Sequence, residues 1–143
     1  MLKRTFLIAA LAVLAACAST WRTLSYDGMP DADVWVGDQR YQVWFHHTDQ
    51  TVLVQRGPPM HFTDLLAQNV TIYAQDSSPG ILWWGQAANA VLRPIGCYAT
   101  EVTGADQMRE VQYVCPQPVN VEAQVATHRE QWRQGVRVAA PEG

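Results

Sequence analysis

Lysine is almost missing from this chain of 143 residues. Nine of its ten basic residues are arginine, and the single lysine is Lys3. From position 17 onward, eight arginines face thirteen carboxylates, a net charge of 8 − 13 = −5. A nucleic-acid binder needs a basic face that displaces counterions from phosphates. The sequence therefore argues against nucleic acid as a partner, and against electrostatic attraction to anionic lipid.

Several signatures of chemistry are also missing. The chain has no glycine-rich phosphate loop and no serine set in a glycine elbow. It also lacks an apolar run of about 20 residues, the length needed to cross a bilayer as a helix. We therefore predict no catalytic residues, no cofactor and no enzymatic activity.

What is present begins at the N-terminus. Lys3 and Arg4 precede an uncharged, largely apolar run over residues 5–16, the pattern of a secretory signal peptide. The run ends in Leu14-Ala15-Ala16-Cys17, which resembles the lipobox of bacterial lipoproteins.

This resemblance implies that residues 1–16 are removed and that Cys17 carries a diacylglycerol on its thiol and an acyl chain on its new amine. Each buried CH₂ then contributes about 0.8 kcal/mol to anchoring in the bilayer. Ala18 stands where an aspartate usually causes inner-membrane retention, so the resemblance implies the outer membrane, facing the periplasm. The alternative is an ordinary signal peptide cut before Ser19, since small residues flank Cys17.

The length suits one domain, and an apolar content of 48% suits a packed core. We predict a lipidated cysteine and tether over residues 17–32, one globular α+β domain over 33–138 and a tail over 139–143. Trp21 in the tether could sit at the headgroup level or cover the flank of the domain.

Two cysteines remain once Cys17 is assigned to lipid. They end two predicted strands, 97–103 and 109–115, joined by a five-residue loop with a glycine. If Thr103 pairs with Arg109, the cysteines face each other at a distance that a disulfide accepts. We predict a structural Cys97–Cys115 disulfide. A redox-active pair would need a tighter Cys-x-x-Cys spacing.

The remaining pattern predicts a small antiparallel sheet built from two hairpins. Residues 34–36, 40–45 and 51–55 form a three-stranded meander. A helix over 79–93 packs one face of the sheet through a stripe of small and apolar residues. A second helix is predicted over 120–134.

Two segments fit more than one structure. Residues 63–75 have both helical and strand features, and we favour a short helix that breaks into extended chain. Residues 119–126 alternate as a strand would, although we favour a helix there.

Two histidines and a carboxylate, His46, His47 and Asp49, are the candidate metal ligands, with His61 further along. Neighbouring residues on a strand point to opposite faces, so both histidines reach one ion only if the loop bends. The alternative is a solvent-exposed hairpin turn.

Three tryptophans, Trp35, Trp44 and Trp83, are candidates for stacking on sugar rings. Tryptophan in a small domain also serves as core filling or an interface anchor. The sequence thus predicts a membrane-anchored accessory domain that docks on another envelope protein, with a periplasmic module for glycan or metal as the alternative.

Overall fold

The computed structural model describes Arg22 and residues 25–57, 80–105 and 107–142. Cys17, Trp21, His61 and the ambiguous segment 63–75 lie outside these residues. The elements, in chain order, are β1 (Ala32–Val36), β2 (Gln39–Phe45), β3 (Thr51–Arg56), α1 (Ile81–Leu92), a 3₁₀ turn (Arg93–Ile95), β4 (Tyr98–Ala105), β5 (Met108–Val114), α2 (Val121–Gln134) and β6 (Val136–Val138).

The strands form one mixed sheet in the order β4-β5-β3-β2-β1-β6. Neighbours are antiparallel except β1 and β6, which run parallel. The predicted α+β class, the meander β1–β2–β3 and the β4–β5 hairpin are confirmed. The sheet is not wholly antiparallel as predicted, because β6 pairs in parallel with β1. The sixth strand was not predicted, because three residues are too few for a recognisable alternation, and β6 is defined by its pairing with β1.

The core lies between one face of the sheet and the two helices. Alternate strand residues are buried, such as Val34 and Val36 on β1. The predicted stripe of α1 is confirmed; its buried members are Trp84, Ala87, Ala88, Val91 and Leu92. The methyl side chains of the two alanines allow the helix to lie close to the sheet.

Residues 121–126 are helical, so the strand alternative for 119–126 is wrong. α2 begins at Val121, and the side chain of Asn120 accepts a hydrogen bond from the Ala123 N–H at 3.0 Å. Val125 and Trp132 turn into the core.

The β4–β5 hairpin contains the predicted disulfide between Cys97 and Cys115. The predicted pairing of Thr103 with Arg109 is wrong by one residue, because Thr103 lies opposite Glu110. The register shifts between Ala99 and Glu101, and this bulge restores the alignment before the cysteines are reached.

The segment before β1 packs on the domain. Tyr26 is only 8% exposed, and Asp31 is buried. The Trp44 indole N–H donates to the Gly28 carbonyl at 3.2 Å. The packed domain thus begins before Asp33, inside the range predicted as tether. None of the helices in the described ranges is long and apolar enough to cross a membrane.

Candidate functional site: a cleft beside helix α2

A cleft of about 460 Å³ opens between three parts of the chain. These are the loop after β2, the segment 27–31 and one side of α2. Its volume lies in the range of small-molecule binding sites, about 300–1,000 Å³.

The floor of the cleft is apolar. Phe45, Tyr113 and Val125 line it from β2, β5 and α2, and all three belong to the core. Phe45 stacks on Trp132 with ring centroids 6.0 Å apart and meets Tyr113 edge to face at 6.3 Å. These rings fix the floor because they are packed on both sides.

One wall is held by a buried carboxylate. Asp31 accepts a hydrogen bond from the Phe45 N–H at 2.9 Å and one from Arg129 Nε at 2.8 Å. Arg133 Nε donates to the Pro30 carbonyl at 2.8 Å. Two arginines of α2 therefore tie the helix to the segment that leads into β1.

The opposite wall brings together serine, histidine and aspartate. Ser25 Oγ lies 2.9 Å from His46 Nε2. His46 Nδ1 accepts a hydrogen bond from the Asp49 N–H at 3.0 Å, while the nearest Asp49 carboxylate oxygen is 3.8 Å from Nδ1.

This arrangement is not a catalytic triad. Because Nδ1 accepts a backbone proton, the neutral ring carries its own proton on Nε2 and donates it to Ser25. A triad needs the reverse, with Nε2 accepting the serine proton and the carboxylate accepting from Nδ1–H. The hydroxyl of Ser25 instead donates to the Arg22 carbonyl.

Arg22 fastens the N-terminal segment beside this wall. Its guanidinium bonds Asp49 at 2.6 Å and Glu110 at 2.8 Å. Two hydrogen bonds raise the pKa of Arg22 above its ordinary value. The bond to Glu110 contributes most, and the bond to Asp49 contributes next. The same bond to Arg22 holds the pKa of Asp49 below its ordinary value.

Tyr26 completes the fastening. Its hydroxyl lies 2.8 Å from both Thr51 Oγ1 and a Glu110 carboxylate oxygen. The carboxylate can only accept, so Glu110 receives the phenol proton. Burial raises the pKa of the phenol, so it remains a neutral donor.

The predicted metal ligands are only partly brought together. His46, His47 and Asp49 all line the cleft, but both ring nitrogens of His46 are already hydrogen-bonded. Within the described ranges, no group of three or more His, Cys, Asp or Glu side chains has metal-binding geometry.

The three candidate tryptophans are half-buried and lie outside the cleft lining. Trp35 stands between two arginines, Arg40 and Arg137, whose guanidinium carbons lie 6.0 and 5.4 Å from its ring centroid. Trp44 bonds Gly28, and Trp83 packs against the core.

Sequence reasoning missed Arg22, Ser25 and Asp31 as parts of the site. All three fall in a stretch without periodicity, where no local pattern shows which side chains return to the domain. The chain matches no protein-family model, no curated protein and no solved structure.

Proposed function

We propose that this chain is a lipid-anchored protein of the bacterial envelope that acts by binding, with the cleft beside α2 receiving a segment of another envelope protein. The observation that carries the proposal is the chemistry of the cleft. It has a rigid apolar floor under a polar rim in which Asp31, Asp49, Arg129 and His46 are already engaged by other groups of the chain.

Such a surface suits recognition better than catalysis. Its histidine is oriented to donate to the neighbouring serine, so that serine has no base to activate it. Met29 at the rim is 71% exposed, and a flexible thioether adapts to partner side chains. An apolar floor with a polar rim is the usual anatomy of a protein interface.

The position of the anchor supports an envelope partner. Arg22 lies five positions after Cys17, and five extended residues span at most about 17 Å. Since Arg22 is bonded to Asp49 on the cleft wall, a lipid on Cys17 would hold the cleft close to the membrane surface.

Anchoring is tested by labelling cells with a clickable fatty acid. We expect the wild-type chain to incorporate the label and Cys17→Ser to lose it. The double variant Cys97→Ser/Cys115→Ser is the control and should keep the label. Label retained by Cys17→Ser would refute the anchor.

Docking is tested with a photo-crosslinking amino acid placed in the cleft at Met29 or away from it at Glu101. We expect an adduct of defined mass from position 29 that disappears when Gln50→Trp narrows the cleft, while Glu101→Trp leaves it intact. Equal adducts from both positions would refute the cleft as the docking site.

A further inference from the structure

A second group of polar side chains lies on the core side of the sheet, away from the cleft. Arg56 follows the buried Val52 and Val54 along β3, and Arg109 precedes the buried Val111 on β5. Alternation therefore turns both arginines toward the face that α1 covers.

The arginines are contiguous with two buried aromatic residues. Tyr41 lies directly opposite Arg56 in the β2–β3 pairing, and its ring centroid is 5.5 Å from that of Trp84 on α1. The guanidinium carbon of Arg109 lies 4.8 Å over the Trp84 ring. Together, Tyr41, Arg56, Trp84 and Arg109 form the arginine cluster.

Each member of the cluster holds a buried polar atom without a hydrogen-bond partner. Among the described residues, the buried side-chain atoms in this condition are Tyr41 Oη, Arg56 Nε, Trp84 Nε1 and Arg109 Nε. Tyr41 is 0% and Trp84 1% exposed. All four atoms can donate a proton, and each unsatisfied buried donor destabilises the folded state.

The cluster also carries two positive charges on adjacent strands. Within the described chain, the carboxylates that form salt bridges do so with Arg22, Arg40, His46 and Arg129, and with neither arginine of the cluster. Arg109 Nη1 donates to the Gly104 carbonyl at 3.0 Å, which satisfies one donor but supplies no negative charge. Four unused donors and two cations favour a negatively charged acceptor.

We propose that the arginine cluster is a binding site for an oxyanion, the carboxylate or phosphate group of a small ligand. Two guanidinium groups match the planar edges of such a group and bond it with charge assistance. The Tyr41 hydroxyl contributes a neutral donor, since burial raises its pKa to about 12 even though nearby Arg56 acts to lower it. The inference is independent of the proposed docking function, because the cluster shares no residue with the cleft.

Binding is tested by calorimetry on the full chain in detergent, titrated with inorganic phosphate and separately with acetate. We expect at least one probe to bind, and Arg56→Gln or Arg109→Gln to weaken it roughly 10- to 100-fold. The exposed Arg93→Gln is the matched control and should leave the affinity unchanged. Tighter phosphate identifies a phosphate ligand, and tighter acetate a carboxylate.

Absence of heat from both probes, or unchanged affinity in both cluster variants, would overturn the proposal. Asp64 and Asp76 lie outside the described residues. Binding that appears only in the variant Asp64→Asn/Asp76→Asn would also overturn the proposal, because carboxylates of the chain itself would then be the anions that the cluster binds.

Tyr41→Phe gives a second test, because this variant is not expected to destabilise the fold. The variant removes a buried hydroxyl that has no partner, so without anion its melting temperature should equal or exceed that of the wild type. With the anion present, its affinity should fall about fivefold. A hydroxyl with a purely structural role would instead lower the melting temperature and leave the affinity unchanged.

Discussion

The carboxylate of Asp31 links three parts of the molecule: the start of β1, the end of β2 and the middle of α2. It accepts from the buried Phe45 N–H and from Arg129. Its replacement would leave the backbone donor unsatisfied, which costs more than the loss of an exposed ion pair.

We therefore expect Asp31→Ala to lower the free energy of unfolding by about 2–3 kcal/mol, measured by urea denaturation. Asp33→Ala is the control two positions on, where the carboxylate pairs with Arg40 on the half-exposed outer face, and should cost less than about 1 kcal/mol. Equal losses in the two variants would contradict this role for Asp31.

The bond between Arg22 and Asp49 predicts a pH effect. Arg22 lowers the pKa of Asp49 in the folded state from its ordinary 3.8. A depressed carboxyl pKa means that the stabilisation is present above the unfolded pKa and is lost as the pH falls through the folded one.

We expect carbon-detected NMR to place the Asp49 titration midpoint lower in the wild type than in Arg22→Gln. The control Arg93→Gln should reproduce the wild-type midpoint. If the Asp49 midpoint were the same in wild type and Arg22→Gln, the bond would not form in solution.

At the scale of elements, the bulge in β4 allows both ends of the strand to contact the core. Near the turn, Val102 faces the core opposite Val111. At the other end of the strand, Ala99 and Cys97 face the core. A regular strand cannot do both, since residues an odd number apart point to opposite faces. The extra residue, Thr100, switches the parity between them.

Deletion of Thr100 should therefore preserve the disulfide, because the remaining residues pair without a bulge. We expect a loss of about 1 kcal/mol, from the hydrogen bond of its hydroxyl to the Gln112 carbonyl. One alanine inserted after Thr100 should instead leave a large fraction of free thiol. Mass spectrometry under non-reducing conditions distinguishes the two, and free thiols in the deletion variant would contradict the parity argument.

The disulfide shows how far sequence reasoning reached. Strand composition and the even pair of cysteines were enough to identify the bond, although the pairing assumed for Thr103 was off by one. Gly104 pairs with Arg109 inside β4, so this glycine, with a positive φ of 100°, belongs to the strand and not to the predicted loop. A bulge depends on which side chains the core accepts, and this information is not local.

At the scale of the whole molecule, the two helices and the strands of the two hairpins were predictable because their apolar residues recur at a regular spacing. The segment around Tyr26 was not, since it is held by single side chains that reach Thr51 and Glu110, 25 and 84 positions away. The cleft escaped prediction for the same reason: its walls come from three separate parts of the chain.

The parallel pairing of β1 with β6 has a mechanical consequence. If lipid holds the N-terminal side of the chain, a force on the C-terminal side pulls β6 toward its own C-terminal end. The anchor pulls β1 in the opposite direction, toward its N-terminal end. The three paired positions then carry load together in shear, instead of opening one after another like a zipper. We expect optical-tweezer traces to show a higher unfolding force for handles at Asp27 and Glu142 than for handles at Asp27 and Glu101, and equal forces would show that this pair bears no load.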